Sequence, residues 1–301
     1  GKNLDESRGD VHKVVEACEV VVSAPMEMQG YAMMEATRSH DICLYRESVG
    51  VFLGIAPYNF PAMIPFGWFL PLCIAAGNTI VLKVASMVPQ TGMRLLELLI
   101  EAGLPKGVVN LVTCSRQEVA NLLSHPDIQG ISFVGSTSTG VKIYSGAAAA
   151  GKRVQCLTEA KNHALLLEDA PLEWSAQRII NSCFGCAGQR CMALPVVVVQ
   201  ESVADRFVQI LKSMAERLTV GAAYDPQTQL GPVINAAHKK SVLDWIDKGV
   251  AEGASLVLDG RQCTPKGFEN GYFVGPTIFD HVTSGMTIGD QEIFGPVVCI
   301  K

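Results

Sequence analysis

The residues best suited to covalent chemistry gather around one thiol. Cys191 follows Gly188-Gln189-Arg190, so a cation adjoins it and a glycine permits an exposing turn. Both favour thiolate, the nucleophilic form of cysteine. Cys183 and Cys186 lie nearby, but these three thiols lack a second Cys-x-x-Cys and fall short of a zinc or iron–sulfur ligand set. No spacing recruits His163, and the Cys183/Cys186 pair falls at the far end of a helix, where a thioredoxin-like motif would not. Those two cysteines read as packing residues. Asn59, in Ala56-Pro-Tyr-Asn-Phe-Pro61, is a polar residue within the uncharged segment 49–82. Its amide suits an oxyanion; a turn asparagine beside proline explains it equally. Phe133-Val-Gly-Ser-Thr-Ser-Thr-Gly140 offers hydroxyls and helix N–H groups to a phosphate, with an ordinary N-cap as the alternative. Lys83 and Glu292 each suit a ligand contact or a solvated strand end. No single residue settles the function.

The elements that must position these groups alternate between strand and helix. Strand patterns at residues 49–55, 79–83, 108–112, 128–134 and 153–158 are separated by helical patterns at 62–76, 92–102, 117–124 and 138–149. The alternation resumes with strands at 164–167, 195–199 and 255–258, helices at 172–184, 203–218 and 236–252, and a last strand at the C-terminus. Short strands alternating with helices of about ten residues predict parallel, doubly wound sheets. The expected fold is therefore α/β, with two domains, 1–158 and 159–301. Residues 10–23 read as a helix and residues 30–49 as a surface hairpin.

Length and composition narrow the classes further. A chain of 301 residues with 49% apolar and 18% charged residues has material for about two cores. Against 24 Lys and Arg stand 29 Asp and Glu, giving a net charge of −5 with no basic block, which argues against nucleic acid. Prolines 57, 61, 65 and 71 interrupt the uncharged segment, so no stretch approaches the ~20 apolar residues of a membrane span. Ten cysteines at irregular spacing read as reduced thiols of an intracellular protein. The abrupt ends at Gly1 and Lys301 read as those of an internal piece, with the second domain incomplete at its C-terminus.

Taken together and in order, Ile55-Ala-Pro-Tyr-Asn-Phe-Pro61, Gly77-Asn-Thr79 with Lys83, Phe133-Val-Gly-Ser136, Gly188-Gln-Arg-Cys191 and Glu292-Ile-Phe-Gly-Pro296 resemble the aldehyde dehydrogenase superfamily over essentially the whole chain. Ala56-Pro-Tyr-Asn-Phe-Pro-Ala-Met-Ile-Pro65, Lys161-Asn-His163 and Ala187-Gly-Gln-Arg-Cys-Met-Ala193 are similar to its CoA-acylating methylmalonate- or malonate-semialdehyde members. The resemblance implies a Rossmann-like cofactor domain, a thiol-bearing catalytic domain and an oligomerisation hairpin at 30–49. It implies Cys191 as nucleophile, with the Asn59 amide and the Cys191 backbone N–H holding the oxyanion. Ala56, Tyr58, Lys83, Ser86, Met87, Ser136, Thr158, Glu292 and Phe294 match cofactor-contacting positions. Lys83 and Glu292 would serve the two riboses and Ser136 the pyrophosphate.

Two departures from the family pattern carry further expectations. In hydrolytic members a Glu-Leu-Gly-Gly-Lys motif supplies the base that activates water. The matching residues are Leu157-Thr-Glu-Ala-Lys161, and a leucine takes no proton, which favours CoA as acyl acceptor. Glu159, two residues on, would lie about 7 Å further along if the stretch were extended. Ser86, followed by Met87, stands where the family often has a glutamate binding the adenosine ribose, which leaves NADP tolerated although NAD remains the expected cofactor. Arg190 either binds the carboxylate of a semialdehyde or points away into an ion pair. The leading expectation is an NAD-dependent, CoA-acylating semialdehyde dehydrogenase, cytoplasmic or in the mitochondrial matrix of a eukaryote, working as a dimer or tetramer. The alternatives are a hydrolytic aldehyde dehydrogenase and an inactive truncated scaffold. A metal or redox protein on the cysteine cluster comes last.

Overall fold

The computed structural model describes residues 1–301. They form two compact units: Gly9–Thr158, and Glu159–Lys301 together with Gly1–Arg8. The first eight residues thus join the C-terminal part of the chain.

The chain opens with α1 (Leu4–Val21) and a short α2 (Ala24–Glu27), then a hairpin of β1 (Tyr31–Thr37) and β2 (His40–Leu44). The hairpin is an antiparallel pair of its own, with Tyr31, Met33, Met34 and Ile42 exposed. A regular alternation follows: β3 (Val51–Ile55), α3 (Leu70–Ala75), β4 (Thr79–Lys83), α4 (Pro89–Glu101), β5 (Val109–Val112), α5 (Arg116–Ser124), β6 (Ile128–Val134), α6 (Thr137–Ala149) and β7 (Arg153–Leu157). The strands make one parallel sheet in the order β5-β4-β3-β6-β7. Because both faces of a parallel sheet are covered, its centre is apolar throughout, and Leu53, Ile80, Leu82 and Ile131 are fully buried. Each such burial contributes roughly 1.5–3 kcal/mol. Local signals agree with the fold: Ser115 and Glu118 form a reciprocal capping box that starts α5.

One expectation is corrected here. The helix predicted over 62–76 begins instead as a π-helical turn, Met63–Phe69, before α3. Pro71 has no N–H for an α-helical bond to the preceding turn, and Leu70 N–H donates instead to the Pro65 carbonyl, five residues back.

The second unit contains β8 (His163–Leu166), α7 (Leu172–Cys183), a tight 3₁₀ turn Gly185–Gly188, β9 (Val196–Val199), α8 (Glu201–Ala215), α9 (Ala236–Ala251), β10 (Ser255–Leu258), β11 (Thr277–Asp280), α10 (Thr287–Asp290) and β12 (Val297–Ile300). Its order is β10-β11-β12-β9-β8, parallel except where β10 runs antiparallel to β11 at the edge. All four residues of β12 are buried, and they contact apolar clusters on both faces. No helix is long and apolar enough to cross a membrane.

Candidate active site

In the first unit the sheet reverses its winding at β3. Connections step outward to β4 and β5 on one side and to β6 and β7 on the other. Ligands of open α/β sheets bind beyond the carboxyl ends of strands at such a switch point. The sequence-predicted residues of this unit emerge there. Ala56, Tyr58 and Asn59 follow β3; Lys83 ends β4, with Ser86 and Met87 leading into α4; Ser136 joins β6 to α6; and Thr158 follows β7. Ala56 and Asn59 are buried, whereas Ser86, Met87 and Ser136 are exposed. Ser136 occupies the N-cap of α6 without capping it, its hydroxyl bonded to Thr139 Oγ1 at 3.0 Å. The helix thereby leaves donors and the positive end of its dipole at the crevice, which suits an anion. Gly140 is required for close approach: a Cβ there would stand 2.5 Å from Thr158 Cγ2.

A residue that sequence reasoning passed over steadies the Asn59 segment. Asp10, buried on α1, accepts hydrogen bonds from Met63 N (2.8 Å) and Ala62 N (3.3 Å), fixing the start of the π-helical turn. A cleft of about 880 Å³ opens elsewhere on this unit, lined by Phe52, Trp68, Leu72, Arg153 and Gln155 among others. Leu157 reaches it, whereas none of the predicted ligand residues does.

In the second unit the chemistry sits at the opposite end of the strands. Lys161 and Asn162 precede β8, Cys191 precedes β9, and Glu292 and Phe294 precede β12. Cys191 is half-buried on a turn closed by Ala193 N–H donating to Arg190 O at 3.1 Å. The approach to it is constrained. Cys186, Ala187 and Gly188 all have positive φ (52°, 54° and 73°), and a Cβ on Gly188 would meet Gly295 O at 2.0 Å. Holding non-glycine residues there costs about 1–2 kcal/mol each, so surrounding contacts must compensate. Glu6 Oε1 accepts from Cys186 N at 2.7 Å, and buried Gln189 spans from Cys186 O (3.1 Å) to Ile234 N (3.0 Å). Asn162 Nδ2 donates to the Cys191 and Ala193 carbonyls at 2.9 and 2.8 Å. Of these, only Gln189 lies within the Gly-Gln-Arg-Cys motif; Glu6 and Asn162 are distant from it in sequence.

The thiol differs from expectation. Burial holds the Cys191 pKa above its ordinary value, Glu292 adds to the rise, and Arg190 opposes it least of all. The reason is where Arg190 goes: its Nη1 donates to Asn181 O at 3.3 Å, at the C-terminal end of α7. There it complements a helix carbonyl end and forms no ion pair. The backbone N–H groups of Cys191 and Met192 are the local groups that favour thiolate most. Glu292 is pushed up to about 7, chiefly by burial and further by Glu159, against a hydrogen bond from the Ala160 backbone and the charge of Lys161. The Lys161 amine is itself buried without a hydrogen-bond partner, and burial lowers its pKa. Cys183 and Cys186 are buried. Leu157 ends β7 with its side chain 43% exposed, and residues 158–162 are irregular, so Glu159 does not continue the strand.

One parallel sheet with an uncapped helix start at its crevice, and one mostly parallel sheet with a braced thiol, are what the two units present. The chain belongs to the aldehyde dehydrogenase family, whose profile matches residues 1–301. It is 46% identical over its whole length to malonate-semialdehyde dehydrogenase 2 of Geobacillus kaustophilus, covering 62% of that relative. Among solved structures it is similar to methylmalonate-semialdehyde dehydrogenase from Oceanimonas doudoroffii, with TM-score 0.96 and 38% identity over 100% of this chain and 62% of that one. Betaine aldehyde dehydrogenase from Staphylococcus aureus in complex with NAD+ gives TM-score 0.95 and 29% identity over 100% of this chain and 60% of that one. The chain thus spans less than two thirds of the length of the relatives it matches.

Proposed function

We propose that the protein serves the NAD-dependent oxidation of malonate or methylmalonate semialdehyde and passes the acyl group from Cys191 to coenzyme A. The observation that carries the acyl acceptor is Leu157: an exposed hydrocarbon stands where hydrolytic family members carry their base. The relatives' names supply the substrate class.

The residues present fit a dinucleotide. Uncapped α6 behind exposed Ser136 offers N–H groups to a pyrophosphate, and Lys83 at the end of β4 offers an amine to a ribose. Ala56, Tyr58, Ser86, Met87, Thr158, Glu292 and Phe294 are assigned to the same cofactor by family resemblance. With Ser86 in place of a carboxylate, nothing at that position repels a 2′-phosphate, so NADP is tolerated. When bound, the nicotinamide supplies a hydride acceptor.

The chain's own residues do the rest. Cys191 Sγ gives its proton to solvent and bonds to the aldehyde carbon, while the carbonyl electron pair moves to oxygen. Asn59 and the Cys191 N–H are assigned to that oxyanion. Once the carbon has given up its hydride, the acyl group remains as a thioester on Cys191. Leu157 accepts no proton from water, whereas the CoA thiol ionises readily enough to attack the carbonyl and release Cys191 as thiolate. Arg190 we assign to bracing the nucleophile turn; a raised KM for semialdehyde but not propanal in Arg190→Ala would return it to the substrate. The exposed hairpin is proposed as a subunit contact.

The test is NADH formation from malonate semialdehyde with and without CoA. CoA-dependent turnover with acyl-CoA as product is expected. Equal turnover without CoA, yielding free acid, would replace this reading with the hydrolytic one.

A further inference from the structure

Asn162 occupies an unusual place. It lies one residue ahead of His163, where β8 begins to pair with β9, and its side chain reaches into the nucleophile turn. Both bonds leave its single amide nitrogen, 2.9 Å to Cys191 O and 2.8 Å to Ala193 O. The turn runs Arg190-Cys191-Met192-Ala193, closed by Ala193 N–H to Arg190 O. Its central peptide is therefore the Cys191–Met192 bond. That peptide is the one whose 180° flip separates the common turn types, and the flipped form needs positive φ at the third residue. Neither Cys191 nor Met192 has positive φ. In a planar trans peptide the carbonyl and the following N–H point in opposite directions. Holding the Cys191 oxygen therefore fixes where the Met192 N–H points, and that N–H is one of two backbone groups that draw the Cys191 pKa down against burial. A carbonyl that accepts a bond also polarises its own peptide and strengthens the N–H as a donor.

We infer that Asn162 is a positioning residue for the nucleophile: through its bonds to the Cys191 and Ala193 carbonyls it locks the central peptide of the turn and holds the Met192 N–H in one orientation on the residue next to the thiol. This rests on Cys191 being the reactive thiol, and concerns its ionisation rather than any step with cofactor. The hydrogen bonds of Asn162 end on the Cys191 and Ala193 carbonyls rather than on the sulfur or any reacting atom, so it acts through the backbone.

The test is iodoacetamide alkylation of Cys191 against pH, read by peptide mass spectrometry, with exposed Cys18 and Cys43 as references in the same molecule. Asn162→Leu keeps the side-chain shape and removes both donors. Its alkylation midpoint should rise by about one pH unit, which is about ten-fold slower reaction below both midpoints. Cys18 and Cys43 should keep their wild-type rates. An unchanged Cys191 midpoint in a variant with a wild-type melting curve overturns the inference and leaves the nucleophile assignment standing. A Cys191 that resists alkylation at every pH in the wild type overturns both. Asn162→Ala, which leaves the carbonyls to water, gives the same readout if the leucine variant does not fold.

Discussion

The two sheets carry their chemistry at opposite ends. In the first unit every predicted ligand residue ends or follows a strand; in the second, Lys161, Asn162, Cys191, Glu292 and Phe294 all precede one. The ends are not electrostatically equivalent. Past the carboxyl ends of parallel strands, helices begin, and their N-termini offer free donors and positive potential, as α6 does behind Ser136. Near the amino ends, helices finish: α7 ends at Cys183, just ahead of the nucleophile turn. Fold-level fields thus favour an anion in the first unit and disfavour one in the second. Burial acts in the same direction there, raising the Cys191 and Glu292 pKa values. Binding an anion can rest on what the fold provides, whereas a thiolate needs local donors, here the Cys191 and Met192 N–H groups.

The largest effect separates the two regions outright. Cys191→Ser should lower aldehyde-dependent NADH formation by about 10³-fold or more, because a serine hydroxyl without a base is a far weaker nucleophile. NAD affinity, read by calorimetry, should stay within about two-fold. A large loss of NAD binding would mean that the thiol itself supports the cofactor, beyond what Glu292 and Phe294 are assigned, and the comparison would need redrawing.

Next come the two tight glycines, one in each region. Gly188→Ala must place a Cβ 2.0 Å from Gly295 O at φ 73°, combining left-handed strain with overpacking against backbone. A loss of about 3–4 kcal/mol follows, a large share of a domain's stability, and should appear as a drop in melting temperature or loss of soluble protein. Gly140→Ala meets side chains rather than backbone, the Thr158 methyl at 2.5 Å and the Phe133 ring at 3.3 Å, and should cost about 1–2 kcal/mol. If Gly140→Ala proved the more damaging, the nucleophile turn would be the more yielding region, against the bracing seen around it.

How legible the two regions were in the sequence follows from the same contrast. Period and punctuation placed most strands: β4 and β6 fall at 79–83 and 128–134 as the pattern predicts. Apolar runs such as Val196–Val199 carry their own signal. β11 and α10, at four residues each, are too short to show a period. Pro71 was visible, but not that it would turn a helix start into a π-helical one. At the site, motif order pointed to Cys191, Asn59 and Glu292. The thiol's surroundings were not legible, because they depend on contacts distant in sequence: Glu6 with Cys186, and Asn162 with Cys191. Arg190 shows the hazard. A cation next in sequence to a thiol reads as its activator, yet the side chain turns to Asn181 O.

A smaller change probes the helix end. Ser136→Asp adds a negative charge to the exposed N-cap of α6, where aspartate itself is a good capping residue. Stability should therefore hold or rise slightly. A bound pyrophosphate would face like charge at short range, and the NAD dissociation constant should rise about ten-fold, more at low salt than at high. Cys191 alkylation should not change. Equal NAD affinity in the variant would remove the α6 end from the binding assignment.

The smallest effect tests the opposite field. Glu292 has its folded pKa pushed up to about 7, from an ordinary carboxylate value near 4.5. The folded state therefore holds a proton that the unfolded state releases between those values, and stability falls as pH rises through that window. Glu292→Gln should flatten this dependence, so that melting temperatures of variant and wild type diverge above pH ~7 and converge near pH ~5. The same charge raises the Cys191 pKa. Below about pH 6 Glu292 is mostly neutral, and the variant should alkylate Cys191 at the wild-type rate. Above pH ~7, with the carboxylate removed, alkylation should run about two- to three-fold faster than in the wild type, a few tenths of a pKa unit. A variant that alkylates more slowly at high pH would show Glu292 drawing the proton from the thiol; the second region would then contain its own base, and its field would assist the thiolate instead of opposing it.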